Sequence, residues 1–219
     1  MLRFDDIKNN KEVQSYIKKS DEALTAMGFT EHSYAHAGKV ARDAGHILAT
    51  LGYDEHEIEL AKIAGYLHDI GNLINRADHA QSGAIMAFNL LNRMGADAED
   101  VGTICCAIGN HDESTAVAVN AVTAALILAD KSDVRRTRVR NRNQDRYEIH
   151  DRVNYAVEDN SMWISDDKKS ITLQLTIDTK ISSVMDYFEI FLGRMTLCKK
   201  AANKLGLWFH LIINDQELL

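Results

Sequence analysis

The stretch "AGYLHDIGNL", residues 64–73, places a histidine and an aspartate side by side at the end of an apolar run. Two ionisable groups in such a setting are costly unless something pairs with them. A helix end meeting a turn explains a glycine two residues later, but not the His68-Asp69 pair. Aspartate is favoured at helix N-termini rather than C-termini. A metal site explains both residues, provided that other ligands exist elsewhere in the chain.

Working outward, the first two-thirds reads as helices. Helical spacing covers residues 11–27, with Gly28 as a stop, and 31–51, closed by Gly52. Asp54 and Glu57 have the spacing of a capping box that opens a third helix. Its apolar positions, Ile58, Ala61, Ile63, Ala64 and Leu67, lead into His68 and Asp69. Further helices are expected over 78–94, 97–110 and 119–135.

Beyond residue 160 the pattern changes. "SMWISDDKKSITLQLTI" alternates apolar and polar residues around a polar turn, which reads as a β-hairpin. A long helix over 181–205 and a third strand, "LWFHLII", follow. The fold class is mainly α: a helical bundle with a small C-terminal α+β appendage of order ββαβ, expected as three antiparallel strands on one helix. Residues 1–160 are assigned to the helical domain and 161–219 to the appendage.

The 219 residues contain no proline, three cysteines without a CxxC spacing, and a net charge of −7. The odd cysteine count fits a reducing compartment. No apolar run approaches the roughly 18 residues that span a bilayer, and residues 1–10 lack a signal-peptide core. A cytoplasmic protein without membrane attachment is expected. The acidity argues against general nucleic-acid binding. Against that background, residues 135–146 hold six arginines and one acid, which suggests a local anion site.

His36, His68, Asp69, His79, His111 and Asp130 each lie among small or apolar neighbours. A divalent metal would stabilise them, since imidazole suits transition metals and a carboxylate can bridge two ions. His36 and Asp130 would complete a shell begun by His68 and Asp69. His79 and His111 could hold a second ion, with Asp69 shared. His32, His46, His56, His150 and His210 read as non-catalytic.

The order His36, His68-Asp69, Asp130 resembles the HD superfamily of metal-dependent phosphohydrolases. "YLHDIGN" is close to that family's most recognisable line. "HAQSGA" (79–84) and "GNHDE" (109–113) resemble the second-metal segments of its dinuclear branches. The resemblance covers residues 31–133. It implies an HD-domain bundle holding one or two divalent ions, iron or manganese, with nickel, cobalt, zinc or magnesium as alternatives. Asp69 and His68 are the expected catalytic residues. Two departures matter. Asn72 stands where many members carry lysine. Asn110 replaces one of two adjacent histidines of the cyclic-dinucleotide phosphodiesterases, whose GYP signature is also missing, which argues against cyclic-di-GMP cleavage. The HD-type symmetrical diadenosine tetraphosphate hydrolases offer a nearer ligand pattern.

The expected activity is hydrolysis of a phosphomonoester or pyrophosphate bond in a small phosphorylated substrate, a nucleotide, by metal-activated water. Lys131, Arg135, Arg136 and Arg138 are the expected substrate-binding cations, because arginine forks match phosphate oxygens. The competing expectations are a di-iron HD-fold oxygenase and a non-catalytic ligand-binding or regulatory protein. The appendage could also support a homodimer through an edge strand.

Overall fold

A computed structural model describes residues 2–141 and 147–218. Arg142, Asp145 and Arg146 of the arginine segment lie outside the described residues. The helical part runs α1 (Phe4–Lys8), α2 (Lys11–Ala26), α3 (Tyr34–Leu51), α4 (Glu55–Leu67), α5 (His79–Arg93), α6 (Ala98–Gly109) and α7 (Ala121–Lys131). Local chemistry sets these limits. Ser33 accepts a hydrogen bond from the Ala35 amide at the start of α3, and Gly52 closes it at φ 92°. Asp54, Asp97 and Asn120 cap α4, α6 and α7 in the same way. Each satisfies backbone donors that the first turn leaves without partners.

Helix α7 is the axis of the bundle. Every residue from Val122 to Lys131 is buried, as expected of a helix surrounded by others. It packs against α3, α4, α6 and a later helix, α9 (Val184–Lys204). α3 and α4 approach closely at Gly65, where a Cβ would lie 2.9 Å from the Ala41 Cα. That approach brings the C-terminal end of α4, with His68, beside His36 on the first turn of α3.

The expected helix over 119–135 is shorter in the structure, ending at Lys131. The Asn160 side chain donates to the carbonyls of Ser132 and Val134. Carbonyls that a continuing helix would have satisfied are thus captured by the next part of the fold. After a 3₁₀ turn (Arg136–Arg138) comes α8 (Ile149–Ala156), a helix the sequence pattern did not reveal.

The C-terminal part is β1 (Val157–Ile164), β2 (Ser170–Ile177), α9 (Val184–Lys204), β3 (Trp208–Ile213) and β4 (Gln216–Glu217), in sheet order β1-β2-β3-β4. β1 and β2 form the expected antiparallel hairpin. β3, however, pairs parallel to β2, with Leu173 opposite Leu211, which corrects the expectation of three antiparallel strands. The physical reason is the intervening helix: α9 carries the chain back along the sheet, so β3 starts at the same end as β2. Tyr187, Phe191, Met195, Cys198 and Ala202 form the buried stripe of α9. One apolar cluster runs from the helical bundle into this sheet. No described helix is long and apolar enough to cross a membrane.

Candidate metal centre

The six expected ligands come from five separate places. α3 supplies His36, the end of α4 supplies His68 and Asp69, and the start of α5 supplies His79. His111 follows α6, and Asp130 lies in the last turn of α7. All six converge.

Asp69 is the hub. Its Oδ2 lies 3.1 Å from His68 Nε2 and 3.6 Å from His36 Nε2. Its Oδ1 lies 3.5 Å from His79 Nε2 and 3.9 Å from His111 Nε2. Asp130 Oδ1 is 3.4 Å from His36 Nε2 and 3.6 Å from His68 Nε2. Two overlapping clusters have suitable spacing for an ion: His36, His68 and Asp130, and His68, Asp69 and His111.

The backbone fixes which ring nitrogen faces the centre. Nδ1 of His68 meets the Gly65 carbonyl at 2.8 Å, that of His79 the Arg76 carbonyl at 3.1 Å, and that of His111 the Ile108 carbonyl at 2.6 Å. Nδ1 of His36 meets Asp133 Oδ2 at 2.7 Å. A carbonyl or carboxylate can only accept, so each Nδ1 carries the hydrogen and each ring turns its Nε2 inward, where it offers a lone pair once it holds no proton. Outer partners of this kind orient metal-binding histidines.

The centre is therefore a cage of lone pairs. His36 Nε2 and His68 Nε2 are 3.3 Å apart; with both rings neutral these would be two repelling acceptors, so the pair calls for a shared proton or a metal ion between them. Asp69 Oδ2 is buried and has no hydrogen-bond partner. An orphaned buried carboxylate oxygen is expensive, and a cation shared with the adjacent imidazoles removes that cost. The donor set of imidazoles and carboxylates fits a divalent transition metal.

The electrostatics agree. Burial opposes charge on Asp69, yet His68, His32 and His79 outweigh it and hold the carboxyl well below the usual range. Asp130 is likewise held down against burial, by Lys131, His68 and His36. Burial disfavours a proton on His68, but Asp69 and Asp130 outweigh it and push the imidazole up to about 10. A proton and a metal ion thus compete for the same Nε2. His111 goes the other way, pushed down to about 3 by burial and by the neighbouring His68.

Gly71 explains the glycine of the opening stretch. A Cβ there would lie 2.9 Å from the Gly83 Cα and closer still to the His79 carbonyl. The first turn of α5 rests directly on this backbone, which is how His79 reaches Asp69. Asn72 donates its side-chain amide to Asp69 Oδ1 at 3.0 Å and to the Asp69 carbonyl at 2.9 Å. It orients the hub.

The centre opens onto a cavity of about 630 Å³ that Asp69, His79, His111 and Asp130 help to line. Lys131 and Arg138 line it too. Lys131 Nζ sits 2.7 Å from Asp130 Oδ2. Arg138 is buried, donating to the Glu31 and Asp133 carbonyls. Arg135 and Arg136 are not among the lining residues. Arg135 Nε donates to Asp133 Oδ1 at 2.7 Å, and Arg136 Nε to the Tyr155 carbonyl at 2.6 Å. The early end of α7 redirects both.

Sequence reasoning passed over many of the lining residues, His32, His150 and Arg76 among them. His32 places its Nε2 3.9 Å from Asp69 Oδ2 while its Nδ1 faces the Thr30 carbonyl at 2.7 Å. Its spacing of four residues from His36 was the available signal. His150, from α8, and Arg76, between the Asn72 turn and α5, line the same cavity.

A family model described as HD domain matches residues 33–190, well over half of the chain. The chain belongs to the HD-domain family. The matched region extends beyond the helices into α9, so the family likeness reaches past residues 31–133. The HD chain is also similar to the uncharacterized protein MJ1020 of Methanocaldococcus jannaschii, 27% identical over 106 residues, covering 42% of this chain and 41% of that protein. The chain thus spans less than half of that relative's length. A solved structure of a predicted HD superfamily hydrolase from an uncultured Thermotogales bacterium is 25% identical, with a TM-score of 0.43. That likeness covers 61% of this chain and 75% of that one.

Proposed function

We propose that this HD-domain protein is a metal-dependent hydrolase of phosphoric esters or anhydrides, acting on a small phosphorylated molecule of nucleotide type. The observation that carries the reading is the inward-facing cage, with Asp69 Oδ2 orphaned between two imidazole Nε2 atoms.

His36, His68, Asp69 and Asp130 would hold one ion, and His79 and His111, sharing Asp69, a second. A bound divalent ion supplies an acidified water and a polarised phosphoryl oxygen. The chain's own groups do the rest. Asn72 fixes the Asp69 carboxylate, and Lys131, ion-paired with Asp130, adds positive charge beside it. His32, kept neutral by burial, presents an Nε2 lone pair that can accept a hydrogen bond at the cavity wall. The cavity volume, about 630 Å³, exceeds what a bare phosphate needs, and Phe29 and Phe191 on its walls offer apolar surface. These features support a substrate with a ring system.

The test is a phosphate-release screen over nucleotides and sugar phosphates with manganese- or iron-loaded protein. Release that disappears in Asp69→Asn supports the reading. Oxygen uptake without phosphate release would replace it with the oxygenase reading, and neither activity would favour a ligand-binding role.

A further inference from the structure

Five cationic side chains among the described residues line the cavity: Arg76, Lys131, Arg138, Arg140 and Arg194. Four already have a carboxylate. Lys131 pairs with Asp130, Arg138 with Asp133, Arg140 with Asp21, and Arg194 with Glu113. Arg76 alone forms no ion pair with any described carboxylate.

Arg76 is nonetheless held in place. Its guanidinium carbon sits 5.5 Å from the centre of the Phe29 ring, a stacking position that arginine favours. Its Nη1 donates to Asn72 Oδ1 at 3.2 Å. Asn72 in turn donates to Asp69 Oδ1. One amide therefore ties the guanidinium to the hub of the metal centre. The Arg76 carbonyl, independently, accepts from His79 Nδ1.

We propose that Arg76 is the anion-binding residue of this site, gripping a phosphate oxygen of the substrate next to the centre built on Asp69. A guanidinium has five donors in a fixed fork. Only one of them, the Nη1 donor to Asn72 Oδ1, is used among the described residues, and the Phe29 ring occupies a face rather than an N–H edge. The remaining edge is free for a planar, bidentate match to an oxyanion. The other cavity cations have much of their charge neutralised before any ligand arrives. The inference deepens the phosphohydrolase reading and rests on it for the substrate's charge.

The design of the site separates the two roles of Arg76. Its backbone serves His79, and only its side chain serves the anion. Substitution of the side chain should leave the metal ligands intact. The experiment is calorimetric binding of inorganic phosphate to manganese-loaded protein, with metal content measured on the same samples, for wild type, Arg76→Gln and Arg76→Lys. With metal content unchanged, phosphate affinity should fall about tenfold or more in Arg76→Gln, the effect of losing charge-assisted hydrogen bonds. Arg76→Lys should recover part of it, as a point charge without the fork. Equal affinity in wild type and Arg76→Gln would overturn the proposal. So would metal-loaded wild type that binds no phosphate, or loss of metal in both variants, which would make Arg76 a structural residue. Turnover is not the readout, so failure to find a hydrolysed substrate would count against the hydrolase reading alone.

Discussion

His36 donates its Nδ1 hydrogen to Asp133 Oδ2 at 2.7 Å, and both side chains are buried. Asp133 is no member of the inner cage, yet it decides how His36 faces it. Burial opposes charge on Asp133, but the hydrogen bond from His36 and the charge of Arg138 hold the carboxyl well below the usual range. The carboxylate makes His36 a stronger electron donor at Nε2. Asp133→Ala should therefore lower metal affinity by about 10–100-fold. A metal titration followed by calorimetry checks this, and Asp133→Asn, which keeps an acceptor, should lose less.

Asp69→Asn should abolish turnover and strip metal while leaving the helical circular dichroism spectrum unchanged. The hub sits at the end of α4, outside the apolar contacts that hold the bundle. Neutralising it also removes the charge that pairs with His68, so the metal-free variant should be less stable than metal-free wild type in urea at pH 7.

Gly71→Ala should destabilise the chain by about 1–3 kcal/mol or more, because a Cβ must displace backbone rather than a flexible side chain. The displaced backbone is the first turn of α5. Metal content of the surviving folded protein should drop with it, since His79 moves. The urea midpoint and metal content together test this; a midpoint equal to wild type would contradict the packing described.

The metal-free protein should lose stability as pH falls below about 6.5. His111 stays neutral in the fold down to about 3, pushed there by burial and His68, and burial holds His32 down as well. Once unfolded, both take protons near 6.5, so the unfolded state binds more protons in that window and acid favours it. His68 has the opposite sign: pushed up to about 10, it contributes stability below 6.5 that is lost as pH rises through 10. Urea midpoints from pH 4 to 9 should pass through a maximum. Replacing His111 with Gln should flatten the acidic limb. Metal uptake at pH 8 should release about one proton per chain, displaced from His68.

Much of this was legible in the sequence because it depends on local chemistry. Asp54 and Asp97 mark helix starts by their own side-chain oxygens, and Gly28, Gly52 and Gly206 mark turns by their positive φ. The set His36, His68, Asp69, His79, His111 and Asp130 was readable because each lies among small or apolar neighbours and because their order resembles the HD pattern. What stayed hidden depends on distant contacts. Asp133 and Arg138 look like members of a solvated charged segment until Glu31 and His36 are seen beside them. Asn160, from β1, ends the expected 119–135 helix by capturing carbonyls 26 and 28 residues earlier in the chain. The long side chains of Arg135 and Arg136 follow that turn away from the cavity. Strand direction at β3 required knowing that α9 is a crossover packed on the sheet, which periodicity does not encode.

The central claim is that the cage around Asp69 exists to hold a cation. The most direct measurement is metal content per chain by elemental mass spectrometry, on protein purified without chelator or nickel affinity resin, for wild type and Asp69→Asn side by side. The account predicts about one to two equivalents of a divalent transition metal in wild type, in keeping with one or two ions in an imidazole–carboxylate site, and near none in the variant. Wild-type protein that holds no metal, even after incubation with manganese or iron, would contradict it.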